Sequence, residues 1–314
     1  MLALLEVNLT TQEITTSDIN PKDVERYLGG RGLAATLLAK NVDVFTDPLG
    51  PNNILIFAAG LFTGTCWPNA CSVSITTKSP LTSIYGTTAS TGYFGPALSQ
   101  VGYPVIMIRG KANVPSILYL SKKECKILSA EQLWGLDTAE AFAFLNRKYP
   151  EAKMALIGPA GENLVKFASI VHDWDRSNTR CGVGAVMGSK NLKAVVVDGA
   201  KPLIKNSDFK DLAKKASHKI KSNYKFQTIA KNGTVSLVEN KNKIGDLPTK
   251  NYRYGQFPYA IDISGQKLEK YIKGKKGCYG CIIPCLPHTF VLDGPYKCEL
   301  IGPEFESVAA LGSN

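Results

Sequence analysis

The sequence predicts an α+β protein, with a duplicated, β-rich N-terminal α+β domain followed by an incomplete, mainly helical domain. Strand-like segments alternate with short helices through the first part of the chain, and two of its helix-strand segments are alike. Beyond Pro202 the chain becomes rich in lysine and takes on helical periodicity. Because strands followed by a run of helices are typical of separate domains, the predicted domains are residues 1–203 and 204–314.

Eight strands are predicted in the first domain, because short apolar runs rich in β-branched residues recur between turn residues. Helices fit between them. Pro21 suits the first turn of one helix, the Gly29-Gly30 pair interrupts that helix, and Asp137 is a candidate N-cap of another. The predicted strands are residues 4–8, 53–58, 72–77, 104–109, 117–120, 154–157, 167–171 and 194–197.

Two segments of the first domain have the same organisation. Residues 94–98 and 183–187 each begin a short helical stretch that leads, after a turn, into an apolar strand, at 105–108 and at 194–197. A glycine follows shortly after each strand. This repetition predicts duplication of a β-rich unit with an inserted helix.

The second domain is predicted to be helical, with helices over residues 207–230 and 264–274. A last helix is predicted to begin at Gly302-Pro303-Glu304, where proline suits the first helical turn. The sequence ends at Asn314, about three turns later. This domain is therefore expected to be incomplete and to need a partner that covers its apolar surface.

Composition and charge narrow the class of protein. Residues 206–314 contain 17 Lys and Arg against 10 Asp and Glu, so they carry +7 of the total charge of +11. The lysines that precede Cys278 would favour docking of an acidic electron carrier, or they would offset the negative charge of a thiolate cluster. A solvated helix face would show the same pattern. No motif that reads nucleic acid is recognisable around these lysines, which argues against nucleic acid binding. No apolar run reaches the roughly 20 residues that span a bilayer, so a cytoplasmic protein without membrane association is expected.

Three cysteines, Cys278, Cys281 and Cys285, form a C-x2-C-x3-C motif. This spacing returns three sulfur atoms to one side of a turn, and it is typical of the compact ligand runs of [4Fe–4S] proteins. A fourth ligand must come from elsewhere, and Cys298 or His288 would close a structural zinc site instead. Iron–sulfur binding is favoured, while zinc and plain thiols stay open.

Two runs of small residues are candidate anion sites. Residues 87–92 offer backbone N–H groups for close approach, and residues 180–184 do so beside the Arg180 guanidinium, which can bind phosphate in a bidentate manner. Neither run matches the dinucleotide-binding pattern G-x-G-x-x-G. Tight backbone packing is the competing explanation for both runs.

A series of ordered sequence blocks carries a family resemblance. The blocks include Leu-Gly-Gly-Arg-Gly-Leu-Ala at 28–34, Gly-Val-Gly-Ala-Val-Met-Gly-Ser-Lys-Asn-Leu-Lys at 182–193 and Gly-Pro-Glu-Phe-Glu-Ser at 302–307. Further blocks lie at residues 77–82, 92–95 and 157–165, and the cysteine motif falls in the same order. On these blocks the chain resembles, essentially from end to end, the tungsten-dependent aldehyde ferredoxin oxidoreductase family.

The resemblance implies an oxidoreductase that converts an aldehyde to a carboxylic acid at a tungsten (or molybdenum) bis-pyranopterin cofactor. It implies that Cys278, Cys281 and Cys285 bind a [4Fe–4S] cluster, through which electrons pass to ferredoxin or a similar acidic electron carrier. Glu306 falls on the position of a glutamate beside the metal, and is therefore the candidate catalytic residue for proton transfer. The alternative explanation of Glu306 is structural: an acid in the first turn of a helix interacts favourably with the helix macrodipole.

The resemblance also implies a set of cofactor-binding positions. They are Ser72, Thr91, Arg180 and Cys181. Arg180 matches the family, whereas Ser72 stands where many relatives have arginine and Cys181 where they have glycine. Loss of one arginine removes a charge-assisted hydrogen bond worth roughly 1.5–3 kcal/mol, which predicts a divergent cofactor site.

Family members are about twice as long as this chain. The sequence therefore predicts one half of a split enzyme or a fragment, with a complementary C-terminal half as a partner and a homodimer as a further assembly. The alternative is a catalytically inactive remnant, or an electron-transfer subunit that retains an iron–sulfur or zinc site.

Overall fold

The computed structural model describes residues 2–200 and 207–313, together with all of their side chains except those of Ser207 and Lys225. The chain forms two compact units, Met1–Lys205 and Asn206–Asn314. Each unit has its own hydrophobic core.

The first half of unit 1 builds a six-stranded sheet in the order β2-β1-β6-β3-β4-β5. Strands β1 and β6 are parallel, and every other neighbouring pair is antiparallel. The strands are β1 (Ala3–Asn8), β2 (Glu13–Asp18), β3 (Leu55–Ala59), β4 (Val73–Lys78), β5 (Tyr85–Ser90) and β6 (Val105–Arg109).

The second half of unit 1 repeats this arrangement in the order β8-β7-β12-β9-β10-β11. Strands β7 and β12 are the parallel pair, and the other pairs are antiparallel. The strands are β7 (Ser116–Leu120), β8 (Cys125–Ser129), β9 (Lys153–Leu156), β10 (Ile170–His172), β11 (Arg176–Asn178) and β12 (Leu192–Val197). Because both strand order and strand direction repeat, the predicted duplication is confirmed.

Helices occupy equivalent places in the two halves. α2 and α4 each lie between the second and third strands of a repeat, and α3 and α6 each precede the parallel strand that completes it. The helices of unit 1 are α1 (Pro21–Tyr27), α2 (Gly30–Asn41), α3 (Phe94–Val101), α4 (Thr138–Lys148), α5 (Pro159–Glu162) and α6 (Val183–Ser189).

The helix boundaries predicted from turn chemistry are confirmed. α1 begins at Pro21, and the chain passes through Gly29 at a φ of 79° before α2 begins at Gly30. The Asp137 carboxylate accepts a hydrogen bond from the Glu140 amide at 2.8 Å, and the Glu140 carboxylate accepts one from the Asp137 amide at 2.9 Å. This reciprocal capping box fixes the start of α4.

One core joins the two sheets. It contains Phe57 and Ile106 of the first sheet, Phe94 of α3, Met187 of α6 and Val195 of the second sheet, all of them almost fully buried. α2 covers the opposite face of the first sheet, and α4 covers the opposite face of the second. The repeats therefore form one folding unit with helices on both outer faces.

Lys190 is a fully buried cation in unit 1. Its Nζ donates hydrogen bonds to the carbonyl oxygens of Asn53 at 2.5 Å, Gly110 at 3.3 Å and Pro51 at 3.5 Å. Burial, with a contribution from the Arg109 charge, lowers the pKa of Lys190 to about 7. Lys190 thus satisfies three carbonyls at the cost of an ammonium group held away from water.

Replacing Lys190 with methionine is expected to lower the free energy of unfolding by about 1–3 kcal/mol, because buried carbonyls lose their donor. The unfolded chain holds this proton to about pH 10.4, whereas the folded protein releases it near pH 7. The free energy of unfolding of the wild type should therefore rise with pH across this window relative to the variant. Urea denaturation at neutral and moderately alkaline pH measures both effects. The exposed Lys111→Met is the control, and a Lys190→Met protein that behaves like it contradicts the expectation.

Unit 2 combines helices with a small antiparallel sheet in the order β13-β14-β15. Its core contains Val235, Val238, Leu247, Ala260 and Ala309. The elements are α7 (Ser207–Lys221), α8 (Tyr224–Asn232), α9 (Leu237–Lys243), α10 (Gly265–Leu268), β13 (Ile272–Lys276), β14 (Leu286–Val291), β15 (Cys298–Ile301) and α11 (Phe305–Leu311).

Three helix predictions for unit 2 need correction. The helix predicted to begin at Gly302-Pro303-Glu304 begins at Phe305 with Glu304 as its N-cap, so Pro303 precedes the helix instead of lying in its first turn. The helix predicted over 207–230 is interrupted between α7 and α8. The helix predicted to end at residue 274 ends earlier, because residues 272–276 form β13 and pair with β14. A lysine-rich segment has little intrinsic strand preference, so pairing with a neighbouring strand decides its conformation.

Across residues 2–200 and 207–313, no helix has the length and apolar character that crossing a bilayer requires.

Candidate cofactor and cluster sites

The edge strands β5 and β11 of the two repeats meet side by side. The Asn178 side chain at the end of β11 donates a hydrogen bond to the Thr88 carbonyl at 3.3 Å. Its Oδ1 accepts a hydrogen bond from the Ser90 hydroxyl at 2.8 Å. This junction lies next to all four predicted cofactor-binding residues.

Ser72 and Thr91 lie opposite each other. β4 pairs with β5 in a register that joins Val73 to Ser90, so Ser72 and Thr91 are the next residues beyond the last pair. Both are exposed. A register of this kind depends on long-range pairing and could not be read from the sequence.

Arg180 and Cys181 connect β11 to α6. The Cys181 Sγ lies 3.6 Å from the Thr87 carbonyl oxygen. A Cβ atom on Gly86 would lie only 2.7 Å from the Cys181 Cβ, so Cys181 packs directly on β5. Arg180 is exposed. The structure thus brings Thr91 to the end of β5 and Cys181 against its middle.

The small residues of the two candidate anion runs are used largely for packing. Residues 87–90 lie within β5 rather than in a loop, and only Thr91 and Gly92 leave the strand. Gly182 has a φ of 66°, and a Cβ there would lie 2.0 Å from the Lys166 carbonyl oxygen. Glycine is therefore required at 182 by backbone geometry, whatever binds beside it.

A cavity of about 550 Å³ opens beside Ser72. Its wall includes Leu28, Phe62 and Trp67, and the Phe62 and Trp67 rings stack with centroids 5.5 Å apart. Phe62 and Leu28 are more than half exposed. No sequence pattern pointed to this cavity, because its residues come from two separate loops.

A buried polar network lies next to Thr91 and was also missed by sequence reasoning. The His172 Nε2 is 2.5 Å from the Ser90 Oγ, and its Nδ1 is 3.0 Å from the Asp173 Oδ2. The same carboxylate oxygen accepts hydrogen bonds from the Tyr93 amide at 2.6 Å and the Phe94 amide at 3.0 Å. No motif spacing relates these residues, and the one available signal was that the chain contains only three histidines.

The three cysteines of the C-x2-C-x3-C motif lie in the turn between β13 and β14. The Cys281 amide donates to the Cys278 carbonyl at 3.0 Å, and the Ile283 amide donates to the Cys281 Sγ at 3.4 Å. All three residues, Cys285 included, are partly exposed. Among the described residues, no three His, Cys, Asp or Glu side chains are already arranged to hold a metal ion. The turn therefore offers thiols on one hairpin without a complete ligand set.

Neither candidate for a fourth ligand closes the set. Cys298 pairs with Val291 at the far end of β14. At about 3.3 Å per residue, roughly 15–20 Å of strand separate it from Cys285. The His288 Nε2 instead lies 2.7 Å from the Glu299 Oε1.

The basic residues that precede the cysteines do not form one helix face. Lys267 lies on α10, whereas Lys273, Lys275 and Lys276 lie on β13. The Lys275 ammonium donates a hydrogen bond to the Ala230 carbonyl, and burial lowers its pKa. The interpretation as a solvated helix face is therefore wrong for the β13 lysines.

Glu306 lies in the first turn of α11 and is exposed. It lines a cavity of about 310 Å³ together with Asn251, Tyr252, Phe305 and Ala309. This position gives the carboxylate access to a concave site within unit 2. The location in the first turn also agrees with a purely structural role, in which the carboxylate interacts with the helix macrodipole. Its place in the wall of the cavity is the feature that supports a catalytic role.

Comparison with known proteins identifies the family. The model of the aldehyde ferredoxin oxidoreductase N-terminal domain matches residues 4–199, and the model of domains 2 and 3 of the same family matches residues 211–314. The chain therefore belongs to the aldehyde ferredoxin oxidoreductase family, as the sequence blocks predicted.

Individual relatives agree with this assignment. The tungsten-containing aldehyde ferredoxin oxidoreductase of Pyrococcus furiosus is 41% identical over 316 residues, which cover 99% of this chain and 52% of the relative. The enzyme of the same name from Thermococcus kodakarensis is 38% identical with the same coverage. The chain spans about half the length of the curated relatives it matches.

A solved structure supports the α+β fold class. The active-site complex BamBC of benzoyl coenzyme A reductase, in complex with 1,5-dienoyl-CoA, matches with a TM-score of 0.79 and 31% identity. The match covers 94% of this chain and 48% of that chain. The predicted fold class is confirmed, with the addition of the three-stranded sheet of unit 2.

Proposed function

We propose that this chain is part of a tungsten (or molybdenum) bis-pyranopterin oxidoreductase that oxidises an aldehyde to a carboxylic acid. The observation that carries the proposal is the meeting of β5 and β11, because Thr91 follows β5, Arg180 and Cys181 follow β11, and Arg180 and Thr91 are both exposed. Its relatives named tungsten-containing aldehyde ferredoxin oxidoreductase supply the reaction class.

Ser72, Thr91, Arg180 and Cys181 would contact the cofactor. The Arg180 guanidinium can bind a phosphate group through two parallel hydrogen bonds, and it is the strongest anion ligand of the four. Ser72 and Thr91 offer hydroxyl groups, and Cys181 holds its loop against β5. The cofactor, when bound, supplies the two-electron oxidation. Serine at 72 provides one neutral donor where an arginine would provide charge, so this end of the site binds anions more weakly.

Cys278, Cys281 and Cys285 would hold a [4Fe–4S] cluster. Their placement in one turn between two paired strands supports this role, because thiolates at short spacing are the usual ligands of such clusters. A fourth ligand comes from outside the described residues. The cluster would pass electrons to ferredoxin or a similar acidic carrier, which the basic residues around β13 would attract.

Glu306 would act in proton transfer. Conversion of an aldehyde and water to a carboxylic acid releases two electrons and two protons, so a base must accept a proton from the hydrated carbonyl or the attacking water. A carboxylate that lines a cavity can do so. Glu306 is the acid of α11 that lines the 310 Å³ cavity.

The partners proposed for this chain follow from its length. The relatives contain about as much sequence again, so a complementary C-terminal half is proposed to complete the cluster and the substrate site. A homodimer and a cytoplasmic location belong to the same proposal.

The proposal is tested by co-expressing this chain with the complementary half in a host supplied with tungstate and molybdate. Purified protein should contain tungsten or molybdenum, fluorescent pterin, iron and sulfide. Arg180→Gln should lower the pterin content, while Arg147→Gln, an exposed arginine of α4, should not. Iron and sulfide without pterin would identify an electron-transfer subunit or inactive remnant, and zinc without iron would identify a structural metal site; both results reject the proposed oxidoreductase.

A further inference from the structure

His172 is a buried histidine whose two ring nitrogens both face oxygen atoms. It ends β10 and is 1% exposed. Its Nε2 lies 2.5 Å from the Ser90 hydroxyl oxygen, and its Nδ1 lies 3.0 Å from the Asp173 carboxylate. Which atom donates in each of these two hydrogen bonds depends on the protons that Ser90, His172 and Asp173 carry.

The Ser90 proton is committed to Asn178. The Asn178 Nδ2 donates to the Thr88 carbonyl at 3.3 Å, which fixes the orientation of the amide. Its Oδ1 therefore faces Ser90 and accepts the hydroxyl proton at 2.8 Å. A serine hydroxyl has a single proton. The contact between Ser90 and His172 therefore requires a proton on Nε2.

The other ring nitrogen also carries a proton. The Asp173 Oδ2 that faces Nδ1 also accepts hydrogen bonds from the Tyr93 and Phe94 amides, so it acts as an acceptor and Nδ1 donates to it. Burial raises the pKa of Asp173, but the hydrogen bond and the charge interaction with His172, together with the two amide hydrogen bonds, outweigh it and hold this pKa below its usual value. With protons on both nitrogens, His172 is an imidazolium ion paired with Asp173.

Other charged groups lie near the pair of His172 and Asp173. Arg176 pairs with His172 across β10 and β11, and its Nε lies 4.0 Å from the Asp175 carboxylate. The Lys153 Nζ lies 5.9 Å from the centroid of the Tyr93 ring. Phe94 of α3 has its ring centroid 5.9 Å from the imidazole, and Ala155 of β9 pairs with His172. Loss of the His172 proton would remove the cation that directly contacts the Asp173 carboxylate.

These hydrogen-bond directions exclude a hydrolytic Ser-His-Asp triad. In a Ser-His-Asp triad the serine donates its proton to a neutral histidine, which then acts as the base. Here Ser90 donates to Asn178 and accepts from His172. Ser90 is therefore a fixed acceptor rather than an activated nucleophile.

The His172–Asp173 pair holds both sides of the Thr91-Gly92 segment. His172 fixes Ser90, the residue before Thr91, and Asp173 holds the amides of Tyr93 and Phe94, which follow Gly92. The segment itself is packed tightly, since a Cβ on Gly92 would lie 2.4 Å from the Asp173 Oδ2 and 3.3 Å from the His172 Cε1. The contact between His172 and Asp173 therefore connects the two ends of the segment, and its loss removes that connection.

We infer that His172, as an imidazolium ion, is a positioning residue that sets the Thr91 segment for binding of the anionic pterin cofactor. This inference rests on the proposed function, in which Thr91 contacts the cofactor. His172 itself touches Ser90 and Asp173 rather than the cofactor. Its role is to keep the backbone on both sides of Thr91 in the geometry that binding requires.

Nitrogen NMR tests the charge of His172 without any cofactor. The chain contains only three histidines, so selective ¹⁵N labelling of histidine gives three side chains to assign. His172→Gln removes one set of signals and identifies it. At neutral pH this set should show two protonated ring nitrogens, and in Asp173→Asn it should show a neutral ring. A neutral His172 in the wild type overturns the inference.

Pterin content tests the positioning role. His172→Gln and Asp173→Asn, co-expressed with the complementary half, should each bind about tenfold less pterin than the wild type, which is within the range for residues that orient ligands. Asp173→Asn keeps an acceptor for both amides, so it separates charge from folding. His218→Gln, an exposed histidine of α7, is the control.

The pterin content of the wild type and of the three variants separates the positioning role of His172 from the proposed function. Normal pterin content in folded His172→Gln, despite an imidazolium in the wild type, overturns the positioning role and leaves the proposed function intact. A wild type that contains no pterin overturns the proposed function and, with it, the inference. Loss in both variants but not in His218→Gln supports the inference.

Discussion

Replacing Cys281 with serine is expected to abolish the proposed iron–sulfur cluster. Cys281 is the central cysteine of the turn between β13 and β14, and its Sγ already accepts the Ile283 amide at 3.4 Å, which directs the sulfur into the turn. A hydroxyl is a poor ligand for iron compared with a thiolate, so two of the three thiols would remain and the cluster would be lost. Iron and acid-labile sulfide per chain, measured on protein co-expressed with its complementary half, should fall at least tenfold, by roughly the factor that removal of a ligand or its support causes.

Cys298→Ser is the matched control. Cys298 lies on β15 opposite Val291, at the other end of β14 from the cysteine turn. Its replacement should leave iron and sulfide unchanged. If Cys298→Ser abolished metal binding as completely as Cys281→Ser, Cys298 would be a ligand and the hairpin would have to rearrange around a structural zinc ion.

The second large effect is expected from Glu306→Gln. Glutamine keeps the size of the side chain that lines the 310 Å³ cavity but cannot accept a proton. The value of kcat for aldehyde oxidation by the co-expressed protein should fall by about 10²–10⁴, the usual contribution of a positioned acid or base. Pterin and iron content should stay unchanged. Steady-state rates with a ferredoxin or an artificial acceptor measure the effect.

Glu239→Gln separates catalysis from helix stability. Glu239 lies in the first turn of α9, as Glu306 does in α11, so both carboxylates favour the helix macrodipole. If Glu306 acts only through the macrodipole, each variant loses about 0.3–1 kcal/mol of stability and neither changes kcat. Equal and small effects in the two variants would therefore contradict a catalytic role.

The parts of the fold that depend on local chemistry were predictable from the sequence. Pro21 and Asp137 mark helix starts through their own geometry and hydrogen bonding. The similar helix-strand segments at 94–108 and 183–197 predicted the duplication. The edge strands were missed, among them Glu13–Asp18, which is polar except for Ile14 and exists because it pairs with β1. β13 was assigned to a helix for the same reason.

The candidate sites show the same difference between local and long-range features. Spacing alone pointed to Cys278, Cys281 and Cys285, because all three lie within one turn. The pairing of Ser72 with Thr91 depends on the β4–β5 register, and the network around His172 depends on contact between residues about 80 positions apart in sequence. Only folding brings such residues together, so composition and motifs cannot reveal them.

The duplication has a consequence for the kind of ligand that suits unit 1. β5 and β11 are the same strand of the two repeats, each the last strand at one edge of its sheet. Thr91 directly follows β5, and Arg180 follows β11 after one intervening residue. Each repeat thus contributes one side of the proposed site. A molecule built from two similar halves, as the proposed bis-pyranopterin is, would suit a site whose two sides come from equivalent strands.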